Sequence, residues 1–183
     1  MQRRQFLKVS VIGAAAGLTG AGALWLSKGN DPTQLNITAL LAKLNQLTML
    51  PTEQLAGLSI GKWNSAEVFT HCAQSVEFSM SGFPEHKSAL FKQTVGALAF
   101  TAFATKGAMS HDLSEPIPAA PELDRSVDVN QALARLIHSL DDFQQYQAEL
   151  APHFAYGKLN KADYELAHVL HFYNHQQTFT QMS

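Results

Sequence analysis

One cysteine, Cys72, stands in 183 residues, so the chain forms no internal disulfide and carries no CxxC redox motif. Charge is also sparse: Asp, Glu, Lys and Arg make up 15% of the residues, and the formal net charge is −2. No acidic residue precedes Asp31, whereas Arg3, Arg4, Lys8 and Lys28 all do. Without residues 1–30 the chain keeps nine basic residues against 15 acidic ones. A domain that acidic excludes generic nucleic-acid binding and a preference for anionic membrane surfaces. Alternating β-branched runs are missing, and so are a Ser-His-Asp ordering, a Gly-rich phosphate loop and an HExxH zinc-protease pattern. What remains is hydrophobic residues, 46% of the chain, in helical rather than strand periodicity.

The first thirty residues read as an address. Arg3, Arg4 and Lys8 precede an apolar stretch from Val9 to Leu26 that Gly13, Gly17, Gly20 and Gly22 make a poor core helix. Arg3-Arg4-Gln5-Phe6-Leu7-Lys8 resembles the twin-arginine export signal, which implies recognition by the twin-arginine translocation machinery and a periplasmic domain exported already folded. Ala21-Gly22-Ala23 offers a cleavage site, yet 18 apolar residues are also just long enough to anchor the chain in the inner membrane. Both outcomes stay open. The domain division is therefore 1–30 for signal or anchor and 31–183 for the folded domain.

Beyond it the pattern predicts an all-α domain. Helices are expected over about 33–50, from Asn64 or Ser65 to Gly82, over 88–106, from about Asp128, and from about Lys161 to Phe179 with Asn160 as cap. The 88–106 segment is apolar nearly all round and reads as deeply buried. Residues 107–124, with Gly107, Pro116, Pro118 and Pro121, read as a long loop and a candidate lid.

Eight histidines are the richest chemical resource. His86, His111, His138 and His153 fall in loops or off apolar stripes and read as exposed or half-exposed. His168, His171 and His175 lie within an arc of roughly 60° on the last helix. His171 and His175 form an i, i+4 pair that can converge on one ion. A second stripe, Leu166, Leu170 and Tyr173, competes to be the core face, so a surface row of histidines stays open at this point. His71 is the other mid-helix histidine. It shares a face with Glu67, Gln74 and Ser75, which either orients a ligand or is a solvated polar face. Cys72 falls on the apolar face and reads as a small core residue.

Trp63-Asn64-Ser65-Ala66-Glu67-Val68-Phe69-Thr70-His71-Cys72-Ala73-Gln74-Ser75, followed about a hundred residues on by the HxxxH pair, resembles the DinB/YfiT-like superfamily of metalloenzymes. Phe154-Ala155-Tyr156-Gly157-Lys158-Leu159 before the histidine helix resembles an uncharacterised DinB-like domain family within it. The resemblance implies a four-helix bundle, here with an extra N-terminal signal or anchor helix. It also implies a divalent metal, zinc or nickel first and iron next, held by His71, His171 and His175, with His168 one turn away in a supporting position. Members of the superfamily are often dimeric, so a homodimer is an expectation.

Three histidines leave open positions on an ion, which suits catalysis. Glu67, one turn before His71, is the candidate to take a proton from a water activated there. The expected activity is hydrolysis or thiol transfer on a small molecule. The alternatives are a non-catalytic metal-binding protein and a helical interaction module.

Overall fold

The computed structural model describes residues 30–180. The signal or anchor expected over 1–30 falls, but for Asn30, outside them. Every regular element among the described residues is helical, apart from two isolated bridges, and none of these helices is long and apolar enough to cross a membrane.

Local chemistry sets most helix starts. α1 (Ile37–Leu47) begins where the Asn36 side chain accepts the Ala39 N–H at 2.8 Å. It is shorter than the 33–50 expected, because Pro32–Gln34 forms a separate 3-10 turn and the extended Asn36 breaks the chain between them. Leu40, Leu44 and Leu47 point into the core. The free Ile37 N–H is taken by Glu165 Oε1 at 3.0 Å, which ties the start of α1 to the last helix.

After the short α2 (Thr52–Ala56) comes α3 (Ser65–Ser81), opened by Asn64, one of the two caps expected. Its Asn64 side chain accepts the Glu67 N–H at 2.9 Å while Glu67 Oε2 accepts the Asn64 N–H at 2.8 Å, a reciprocal capping box. Every residue from Ser65 to Val76 is buried, so the polar face around His71 is not a solvated one.

The 88–106 segment is helical but interrupted: α4 (Ala89–Phe91), a π turn (Lys92–Gly96), then α5 (Ala97–Lys106), ended by Gly107 in the left-handed region at φ 66°. Its expected deep burial is overturned. Leu90 is 72% exposed and Leu98 71%, and only Gly96 and Phe100 are buried. A segment apolar all round does not specify which face packs, and this one packs at the edge of the domain, against the last helix, rather than at its centre.

α6 (Val129–Gln145) starts at Asp128, whose carboxylate accepts the Asn130 and Gln131 N–H groups at 3.0 Å each. α7 (Lys161–Gln176) starts at Asn160. α6 lies mainly along α3, while α7 lies against α1, α3 and α5. One core joins them, with Leu40, Leu44, Phe69, Leu133, Leu136, Leu140, Phe143 and Phe172 fully buried.

Candidate metal centre

α7 resolves the competition between its two stripes by burying both. Leu170 and Tyr173 are buried on one side, His168 and His175 on the other, and His171 is half-buried. The capping box fixes the register of α3 so that His71 meets this histidine row.

The Nε2 atoms of His71 and His171 lie 3.1 Å apart. The three ring centroids of His71, His171 and His175 form a triangle with all sides 4.9 Å, and one ligand nitrogen from each lies within 4.8 Å of the others. Two nitrogens each about 2.0–2.1 Å from a single ion stand about 2.9–3.4 Å apart for angles between octahedral and tetrahedral. The His71–His171 separation falls in that interval. His71 Nδ1 and both ring nitrogens of His175 are buried with no hydrogen-bond partner. Three converging histidines, two of which hold buried nitrogens without a partner, fit a divalent ion.

The electrostatics agree. Burial, with His175 and His111 close by, holds His71 well below the usual imidazole range. Burial and the surrounding histidines do the same to His171, and burial with His111 brings His175 down to about 3. All three are therefore neutral near pH 7, the form that ligates metal. Trp63 covers the cluster, its ring 4.7 Å from His71 and stacked at 5.7 Å on His175.

Of the four histidines expected to be exposed or half-exposed, His153 is buried, and His111, half-exposed as expected, stands against the trio. His111, on the segment between α5 and α6, is half-buried, with its ring 5.1 Å from His171 and 5.0 Å from His175. His153 is buried, stacked on Tyr156 at 4.3 Å, and its Nδ1 accepts the Ala155 and Tyr156 N–H groups at 3.1 Å each. Both sit in segments without periodicity, so their burial depends on where the chain folds back. His86 and His138 are exposed as expected.

His168 donates from Nε2 to Ser79 Oγ at 3.2 Å, because the Ser79 hydroxyl proton is committed to the Val76 carbonyl at 2.6 Å. Its ring stacks on Tyr164 and meets Phe143 edge-on. Cys72 is buried in the core and burial pushes its thiol up.

Glu67 is buried at the head of α3. Besides the capping box, its Oε2 stands 3.3 Å from Arg125 Nε. It does not line the cavity that lies beside the trio.

Beside the trio lies a cavity of about 350 Å³, with His71, His111 and His171 at one part of its wall and His153 and His168 at another. Phe91, Met109, Ile117, Phe154 and Tyr156 make much of it apolar. His153, holding two amides on Nδ1, carries its proton on Nε2; His168, donating from Nε2, keeps a lone pair on Nδ1. The cavity wall thus includes one fixed donor and one fixed acceptor. Residues 107–124, expected as a loop, supply part of this wall, and the Pro121 carbonyl accepts from Gln74 Nε2 at 3.0 Å on α3.

No curated protein and no solved structure matches the chain. One family, described as "Protein of unknown function (DUF1569)", matches residues 29–182 and so takes in the whole described domain. The chain belongs to that family.

Proposed function

We propose that the protein is a metal-dependent enzyme with the four-helix bundle of the DinB-like superfamily, exported through the twin-arginine route and acting on a small molecule in the periplasm. The observation that carries this reading is the meeting of a histidine trio with a cavity: His71 and His171 belong to both. Three neutral nitrogen donors are the protein ligand set of catalytic rather than closed structural sites. Imidazole suits zinc and nickel, and iron after them. A divalent ion held there supplies Lewis-acid polarisation of a substrate oxygen or sulfur.

The chain's own residues supply the rest. Phe91, Ile117, Phe154 and Tyr156 shelter the cavity from water, and His153 and His168 orient a bound molecule through their fixed donor and acceptor. Hydrolysis is preferred to thiol transfer, because abundant small thiols are cytosolic and the leader points outward. A metal-binding role without turnover is the second reading, favoured by the fourth imidazole, His111, beside the trio.

The test is elemental analysis of the chain purified without chelators or a histidine tag, followed by an ester, amide and thiol panel on loaded and stripped protein. About one ion per chain, with turnover lost on stripping, supports the enzyme. One ion without turnover moves the assignment to the second reading. A folded chain that takes up neither zinc, nickel nor iron removes both. Replacing Arg3 and Arg4 by lysine and fractionating the cells tests export, with retention in the cytoplasm expected.

A further inference from the structure

We propose that His111 is a fourth imidazole of the metal centre, carried by the 107–128 segment rather than by a helix. The proposal rests on reading His71, His171 and His175 as a metal centre. Its first support is position. The His111 ring stands 5.1 and 5.0 Å from those of His171 and His175, close to the 4.9 Å that separates the trio's own rings. Among the described residues the ligand atoms within 4.8 Å of one another are those of His71, His171 and His175, so His111 stands just outside the trio and reaches an ion held there by a small movement of its loop.

The second support is the state of its two nitrogens. Nδ1 lies 2.8 Å from the Asp112 carbonyl oxygen, which has only lone pairs to offer, so Nδ1 carries the proton. Nε2 then keeps its lone pair, and it is buried with no partner. A ring nitrogen donating to a carbonyl while the other faces the ion is the usual arrangement of a metal-ligating histidine. An imidazole buried for packing alone would leave that lone pair unsatisfied, which is costly.

The third support is that the segment is held in place. Asp112 Oδ1 accepts the Ser114 N–H and O–H at 2.8 Å each, Ile117 is buried, and Gln74 of α3 holds the Pro121 carbonyl. His111 is therefore presented from a structured turn.

Four neutral nitrogens with no carboxylate or thiolate leave the full positive charge of a divalent ion uncompensated, and they suit zinc, nickel or cobalt. His111 differs from the others in sitting on a loop that also lines the cavity. It is the ligand that can leave when a molecule enters from that side.

Cobalt(II) titration of the metal-stripped full chain tests this, with the visible ligand-field spectrum as readout. The wild-type chain is expected to bind one cobalt. His111→Ala should still bind one, at least about tenfold more weakly and with a shifted spectrum, and added imidazole should restore the wild-type bands. If the alanine variant does not fold, His111→Gln takes its place with the same readouts. An unchanged affinity and spectrum in the His111 variant, while His175→Ala loses cobalt, overturns His111 as a ligand and leaves the trio. A wild-type chain that takes up no cobalt overturns both.

Discussion

His71 Nε2 and His171 Nε2 lie 3.1 Å apart although 100 residues separate them in the chain. Both rings are held neutral, so the contact is two imidazoles sharing a single proton or two imidazoles sharing an ion. The second arrangement predicts that His171→Ala and His175→Ala each lose most of the metal, and that the exposed His138→Ala keeps it. Elemental analysis after dialysis against zinc or nickel reads the difference. Equal metal in all three variants would sink the site. Free ion at 100 times Kd stabilises a folded chain by about 2.7 kcal/mol. For a chain of this size that is roughly 5–11 °C in Tm, expected for the wild type and absent in His175→Ala.

The parts of this site that were legible in advance are those decided by neighbours in sequence. Asn64, Asp128 and Asn160 each cap a helix through a side chain reaching two or three residues on, and all three starts were readable from residue type. The HxxxH spacing of His171 and His175 is likewise local. His111, His153 and Trp63 were not legible as site residues, because each reaches the cluster or the cavity from outside a periodic segment. Leu90 and Leu98 show the converse: apolar residues in a helix, left exposed because packing, not composition, chooses the face.

Gly96 supplies a prediction in which two effects oppose each other. In a helix interior Ala is favoured over Gly by about 1 kcal/mol. A Cβ added at Gly96 would, however, stand 1.9 Å from the Ala155 carbonyl oxygen, a backbone atom that cannot step aside cheaply. Overpacking of this kind costs about 1–3 kcal/mol, so it outweighs propensity. Gly96→Ala should lower the urea midpoint. Because Phe91 and Ala155 both line the cavity, it should also weaken binding of any cavity ligand. A raised midpoint would mean that the 154–157 turn yields more easily than its contacts suggest.

His153 makes stability depend on acid. Burial, with His168 and His86 nearby, brings it down to about 3 from an ordinary imidazole value of 6.5. Between about pH 6.5 and 3 the unfolded chain binds a proton at this position that the folded chain refuses. Stability therefore falls as the pH falls through that window, and this group contributes nothing above it. His153→Gln, with an amide oxygen for the Ala155 and Tyr156 N–H groups, should show a shallower fall. Urea midpoints at several pH values, with EDTA present so that metal loss does not contribute, measure the slope. Parallel curves for wild type and variant would contradict the assignment.

Glu67 separates support from chemistry. Its Oε2 accepts the Asn64 N–H and pairs with Arg125, an arginine that is 69% exposed and so adds little. Glu67→Gln keeps an acceptor for the capping box and should cost less than about 1 kcal/mol, chiefly the lost charge at a helix N-terminus. Glu67→Ala removes the acceptor as well and should cost about 1–2 kcal/mol. Both variants should retain the metal, since the carboxylate is not among the converging ligands. A proton-accepting role predicts something that capping does not: with fold and metal intact, Glu67→Gln would lose about 10²–10⁴ in kcat on whatever substrate the panel identifies. Glu67 lies outside the cavity wall, so the expected result is the smaller one, a change in stability with turnover kept. A large loss in kcat at unchanged urea midpoint would instead place its unengaged Oε1 within reach of the reacting water.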